Sequence, residues 1–217
     1  GEMNRGVSRH GGDIDKFLGE GIFAYFHNNQ EPRTSANAAF DAAVEMHKLS
    51  EALEVAGGVW EEFFKGKPGW EDRRRFNTRF GLHWGLVVAG PVGDDDRADS
   101  TLIGDNVNLA SRLEALNQVY GTQILVSSDF YECLSADRRI LCRRIDRIMI
   151  PEHPEAIDIY TVDIQPLPVP FLMAFDKGVV AYLEGHWGKA RMALLQARGI
   201  LANNDEDRDP ASETLIK

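Results

Sequence analysis

Apolar and polar positions alternate along residues 80–90. Phe80, Leu82, Trp84, Leu86 and Val88 fall on one face, and Gly81, His83, Gly85, Val87 and Ala89 on the other. The spacing predicts one strand with a bulky face that packs its helix and a small face opposite. Upstream, two short apolar runs within 13–26 flank Gly19-Glu20-Gly21 and predict a β-hairpin with a carboxylate at its tip. From Ser35 to Val55 the apolar positions Ala39, Ala43, Met46, Leu49 and Leu53 recur at helical spacing, and Gly57-Gly58 ends the pattern. Residues 59–79 mix Trp60, Phe63, Phe64 and Trp70 with charges and a Lys-Pro-Gly turn, and are read as an irregular connection.

Downstream, a polar loop at Gly93–Arg97 leads to a short strand at Thr101–Ile103. Asp105 is placed to cap a helix from Asn106 to Tyr120, with Leu109, Leu113, Leu116 and Tyr120 as its core stripe. Strands follow at 123–127, 140–149 and 157–163, with a short helix at 128–134. This order predicts an α/β protein, an α+β sandwich of the ferredoxin-like or palm-like kind. Its sheet is mainly antiparallel, with helices packed on it. Residues 1–165 form the main domain and the Pro-rich stretch 166–170 a linker. Residues 171–217 form a helical tail with a break near Gly185 and an acidic, mobile stretch at 203–212. The tail reads as a helical hairpin with the flavour of a tetratricopeptide unit, hence a docked cap or a surface for a protein partner.

Composition narrows the function. A chain of 217 residues, 43% hydrophobic and 27% charged, folds around a core of its own. The net charge of −10 disfavours nucleic-acid polymers and anionic membrane surfaces as partners, while leaving room for a nucleotide held by locally placed cations. Two cysteines, Cys133 and Cys142, make neither a disulfide scaffold nor a zinc site and suit a reduced compartment. The sequence contains no apolar run of the ~18–20 residues that span a bilayer. The expected location is therefore cytoplasmic, with any membrane anchor in a parent protein.

Asn108 and Arg112 lie four residues apart and so on one face of the predicted helix, rotated away from the leucine stripe. A guanidinium fork suits phosphate oxygens, and a neighbouring amide suits a hydroxyl. The alternative is a surface ion pair of Arg112 with Asp105 or Asp99. His83 is read as a sheet side chain rather than a ligand, and Asp94-Asp95-Asp96 as solvated acids.

Three blocks occur in one order: GGDIDKFLGEGIFAYF at 11–26, FGLHWGLVVAGPVG at 80–93, and RADSTLIGDNVNLASRLE at 97–114. Together they resemble the class III adenylyl/guanylyl cyclase catalytic domain over residues 5–163. The resemblance implies that Lys16 and Asp99 read the purine, favouring ATP, and that Asn108 orients the ribose. It implies further that Arg112 stabilises the pentavalent phosphate and that Glu20 binds Mg²⁺ or Mn²⁺. The product would be 3′,5′-cyclic AMP, made by a head-to-tail homodimer with shared active sites, so that Lys16 and Glu20 serve opposite sites. Three features depart from the family pattern. The strand bearing a second metal Asp is expected a few dozen residues before the hairpin, upstream of this sequence. The hairpin acid is Glu rather than Asp, and the strand near Arg147 lacks a phosphate-contacting Lys, for which Arg143, Arg144 or Arg147 could substitute. A degenerate cyclase-like module that dimerises or binds nucleotide without turnover is the alternative.

Overall fold

A computed structural model describes residues 2–19, 21–27, 31–54, 78–94, 97–150, 155–201 and 209–216, with 91–94 and 97–101 described by backbone alone. Glu20 and most of the connection read at 59–79 lie outside these residues. The chain begins with α1 (Glu2–Arg9), β1 (Asp13–Leu18), β2 (Gly21–Tyr25) and α2 (Pro32–Glu54). It continues through β3 (Phe80–Leu82), β4 (Val88–Asp94), β5 (Arg97–Ile103) and α3 (Asp105–Tyr120). Then come β6 (Ile124–Ser127), α4 (Ser128–Cys133), α5 (Ala136–Arg139), β7 (Cys142–Ile148) and β8 (Ile157–Val162). Three helices close the chain: α6 (Val169–Leu183), α7 (Trp187–Leu201) and α8 (Pro210–Ile216).

A four-stranded sheet in the order β3-β6-β8-β7 forms the middle layer. β3 and β6 run parallel, and the other two pairs are antiparallel. Two hairpins, β1-β2 and β4-β5, make separate antiparallel ribbons. The mainly antiparallel α/β architecture expected from the sequence is therefore present.

Period-two alternation divides the sheet's side chains between two helical layers. Leu125, Ile145 and Ile159 enter a core with Leu109 and Leu113 of α3. Ile124, Val126 and Val162 enter a second core with Ala36, Ala39, Phe40 and Ala43 of α2 and Phe130 of α4. The bulky residues Phe80, Leu82 and Trp84 pack on this α2 side, as their spacing predicts.

Four local expectations need correction. The strand read over 80–90 is two strands, β3 and β4, separated by 83–87, and Leu86 and Val88 project to solvent. The loop at 93–97 is largely ladder, because β4 and β5 pair over seven positions from Val88↔Ile103 to Asp94↔Arg97. Asp105 does not cap α3. It is the first helical residue, where its charge suits the helix dipole, and Gly104 precedes it with no side-chain cap. Finally, Pro210–Ser212 belong to α8, with Ala211 and Ser212 buried.

The C-terminal helices are part of the main core. Phe171, Phe175 and Val179 of α6, Leu194 and Ala197 of α7, and Ala211 of α8 share one buried cluster with Leu113, Leu125 and Ile159. Helix α6 starts at Val169, inside the Pro-rich stretch, and the break near Gly185 falls where α6 gives way to α7.

Candidate active site

Helix α3 carries the first two site candidates and is fastened directly onto β3. A Cβ on Gly81 would lie 2.3 Å from the Ala110 carbonyl oxygen and 2.4 Å from the Glu114 nitrogen, so only glycine lets the helix backbone approach this closely. One turn on, the buried amide of Asn117 donates to the Phe80 carbonyl at 3.0 Å, and its Oδ1 accepts from Thr122 Oγ1 at 2.9 Å. Arg79 Nε donates to Glu114 Oε1 at 2.8 Å. The buried face of α3 is thus Leu109, Leu113, Asn117 and Tyr120, while the expected core residue Leu116 packs only at its margin.

Asn108 is exposed and Arg112 half-buried on the flank that this anchoring leaves open. Arg79, Arg138, Arg143, Arg144 and Arg147 each hold a carboxylate. Arg112 holds none among the described residues, Asp105 included. The arginines considered as phosphate-contacting substitutes are engaged elsewhere. Arg143 lies between Asp163 and Asp209 and over the Phe175 ring at 4.0 Å, while Arg144 and Arg147 share Asp158.

The other candidates sit on the two hairpins. Leu18 pairs with Gly21 and Gly19 has φ 61°, a two-residue connection of the kind that tight hairpins use, so the expected β1-β2 hairpin is present. Between Ile14 and Lys16 the register shifts, and Asp15, whose side chain is 4% exposed, turns into the fold. Its Oδ1 accepts from the Leu102 backbone N–H at 3.1 Å, and its Oδ2 lies 3.1 Å from Lys16 Nζ. This brings Lys16 beside β5. Asp99 lies on that strand, three residues before Leu102, and pairs with Val92 of β4.

The sequence profile of the adenylate and guanylate cyclase catalytic domain matches residues 7–163. The chain belongs to this family. It is 34% identical over 161 residues to an adenylate cyclase of Anabaena cylindrica, covering 74% of this chain and 30% of that protein. It is 30% identical over 208 residues to the terminal-differentiation-specific adenylate cyclase of Dictyostelium discoideum, covering 92% of this chain and 9% of that one. The chain therefore spans less than a third of these relatives. Among solved structures, that of the adenylyl cyclase CyaB from P. aeruginosa superposes with a TM-score of 0.56 at 27% identity, covering 77% of this chain and 79% of that one.

The match to this cyclase family takes in β1 through β8, and hence Lys16, Asn108 and Arg112. A cyclase domain of this family implies a divalent metal ion. A carboxylate at the hairpin tip offers the oxygen donor that such a hard cation takes, and Glu20 is the residue there in sequence. Among the described residues, no three His, Cys, Asp or Glu side chains converge into a metal site.

Sequence reasoning passed over Asp15 and Asn106 and read His83 only as a sheet side chain. Asp15 reads as an ordinary strand position until the bulge buries it. His83 follows β3 and bonds Ser127 and Asn106 instead of standing free on a strand. The one available signal was Gly85, a second glycine on the small face opposite a helix rich in amides.

Proposed function

We propose that this chain is the catalytic domain of an adenylate cyclase, converting ATP to 3′,5′-cyclic AMP and pyrophosphate. The observation that carries the reading is Arg112. It is a half-buried guanidinium without a carboxylate among the described residues, one turn beyond an exposed Asn108, on a helix clamped to the sheet. A guanidinium fork on a helix fastened to the sheet suits the charge that develops on a phosphoryl group in transfer. The bond from the ribose 3′-oxygen to the α-phosphorus forms while the bond from that phosphorus to the bridging oxygen breaks. The hydroxyl proton passes to solvent and pyrophosphate leaves.

In this reading Asn108 orients the ribose, Arg112 takes up charge on the α-phosphoryl oxygens, and Lys16 donates to the purine ring. The resemblance gives Asp99 as the acceptor for the exocyclic amine. The bond from Leu102 to Asp15 favours Thr101, which adjoins the tie between β5 and the Lys16 hairpin. A divalent ion, Mg²⁺ or Mn²⁺, would lower the pKa of the 3′-hydroxyl and neutralise the leaving group, with Glu20 supplying one carboxylate.

A homodimer with shared sites is part of the proposal. Its support is apolar surface on both hairpins: Phe17 is 63% exposed and cross-strand to Ile22, and Val88 is 69% exposed and cross-strand to Ile103. Leu86 beside them is 93% exposed. Apolar surface so placed on a soluble domain marks an interface.

The test is cyclic AMP formation by the purified protein, expressed with whatever native sequence flanks it, from ATP with Mn²⁺ or Mg²⁺. Asn108→Ala and Arg112→Ala are each expected to lower kcat by about 10²-fold or more. Glu20→Asp is expected to raise the rate. No product with either metal, together with measurable ATP binding by a dimer, would overturn the enzyme in favour of a nucleotide-binding module.

A further inference from the structure

A chain of side-chain hydrogen bonds crosses from the central sheet to the first turn of α3. Ser127 ends β6 and caps α4, its Oγ accepting from the Phe130 N–H at 3.2 Å. The same Oγ lies 2.8 Å from His83 Nδ1, and His83 Nε2 lies 2.9 Å from Asn106 Oδ1. Asn106 Nδ2 donates to the Leu86 carbonyl at 2.7 Å.

These partners assign the protons. The Leu86 carbonyl can only accept, so the Asn106 amide presents its nitrogen there and its oxygen to His83. Nε2 of the ring must then donate, and in the neutral imidazole Nδ1 accepts from the Ser127 hydroxyl. Gly85 permits the arrangement. A Cβ on that residue would lie 2.4 Å from Asn106 Cγ, inside the space the amide occupies.

The tie matters because, among the described residues, the start of α3 has no side-chain cap and is held otherwise by the burial of Leu109. Gly104 at its N-terminus has φ 144° and supplies no side-chain cap. Arg112 lies among the residues fixed by Gly81, Asn117 and the Arg79–Glu114 pair, whereas Asn108 is only two residues past Asn106. We propose that His83 and Asn106 are positioning residues that set the first turn of α3, and through it Asn108, against the sheet. The assignment of Asn108 rests on the cyclase reading above. The mechanical tie does not.

Two readouts separate these parts. In His83→Leu, amides of residues 109–112, whose helical acceptors are the carbonyls of 105–108, are expected to exchange hydrogen at least 10-fold faster. Those of 117–120 are expected to stay unchanged. His83→Gln, whose amide can donate to Asn106 and accept from Ser127, is expected to restore slow exchange. Unchanged exchange at 109–112 in a folded His83→Leu protein overturns the proposal whether or not the protein makes cyclic AMP.

For turnover, His83→Leu and Asn106→Ala are expected to lower kcat by about 10–100-fold, the scale of a misplacement near 1 Å. KM for ATP should change less than about threefold. In an Asn108→Ala background His83→Leu should cost nothing further, because the group it positions is gone. An equal fold-loss in both backgrounds would mean that His83 acts on general stability, and the positioning role would fall. If wild-type protein makes no cyclic AMP, the cyclase reading fails while the exchange experiment still decides the tie.

Discussion

Asp15 Oδ1 accepts a hydrogen bond from the backbone N–H of Leu102 at 3.1 Å, joining the β1-β2 hairpin to β5 through a carboxylate that is 4% exposed. The second oxygen of the same group faces Lys16 Nζ at 3.1 Å. Asp15 therefore holds two ribbons together and fixes the ammonium that the purine would meet. Asp15→Ala leaves a buried N–H without its acceptor and is expected to cost about 1–3 kcal/mol of stability. Asp15→Asn keeps an acceptor for Leu102 and should cost less than half as much. Urea unfolding of the two variants checks this, and equal losses would show that the Leu102 bond is not the source.

In the proposed cyclase, purine choice turns on the same junction. Lys16→Ala is expected to raise KM for ATP by about 10-fold, the scale of one charge-assisted hydrogen bond, and to narrow the preference for ATP over GTP. On β5, Thr101 adjoins Leu102, whereas Asp99 is three residues away, about 10 Å along an extended strand. Thr101→Ala should therefore change the ratio of ATP to GTP turnover more than Asp99→Ala does. The opposite order would return the amine contact to Asp99.

What could be read in advance follows from where periodicity exists. Helix 105–120 and the strands at 124–127 and 157–162 were legible because each puts a regular apolar face on a core. The β4-β5 hairpin was not, since Gly90, Pro91, Gly93 and Asp94 resemble loop composition, and its backbone pairing leaves no apolar rhythm. Residues 83–87 broke the predicted long strand for a different reason. His83 and the Leu86 carbonyl are used by Ser127 and Asn106 instead of a sheet ladder. Asn117 gives no apolar signal in the sequence, and its burial is possible because its bonding groups find partners. Asn108 and Arg112 were legible as a pair from helical spacing, but that Arg112 holds no carboxylate among the described residues is a tertiary fact.

Acid should remove one contribution to the pairing of β7 with β8. Arg147 on β7 stands directly across from Asp158 on β8 and donates to it at 2.6 Å, with Arg144 3.5 Å away on the same carboxylate. The hydrogen bond from Arg147, more than any other influence, holds the Asp158 carboxyl below its ordinary range. A depressed carboxyl contributes stability that is complete above its unfolded-state value and is lost as pH falls through its folded-state value. Wild type should therefore exceed Asp158→Asn in stability near neutrality, and the gap should close between about pH 5 and pH 2. A gap that stays constant across that range would mean that the two side chains differ for a reason other than charge.

Asp209 has two duties at the far end of the molecule. Its Oδ2 accepts from the Ser212 N–H at 2.9 Å, which caps α8, while its Oδ1 accepts from Arg143 at 2.9 Å. Arg143 is buried over the Phe175 ring and keeps Asp163 as its other partner. Asp209→Asn retains a good cap and removes only the charge, whereas Asp209→Ala removes both. The alanine variant is thus expected to be less stable than the asparagine variant by about 1 kcal/mol, the usual worth of an N-cap. Helix α8 meets α3 at the end opposite Asn108, with Thr214 Oγ1 donating to the Val119 carbonyl at 3.2 Å and Pro210 filling the space beside Gly121. Because the Asn108 end of α3 is tied separately through His83 and Asn106, both variants should keep wild-type kcat per folded molecule. Urea midpoints paired with cyclic AMP assays at a temperature where every variant is folded make the comparison. A fall in kcat without a fall in stability would show that the distal end of α3 controls where Asn108 sits.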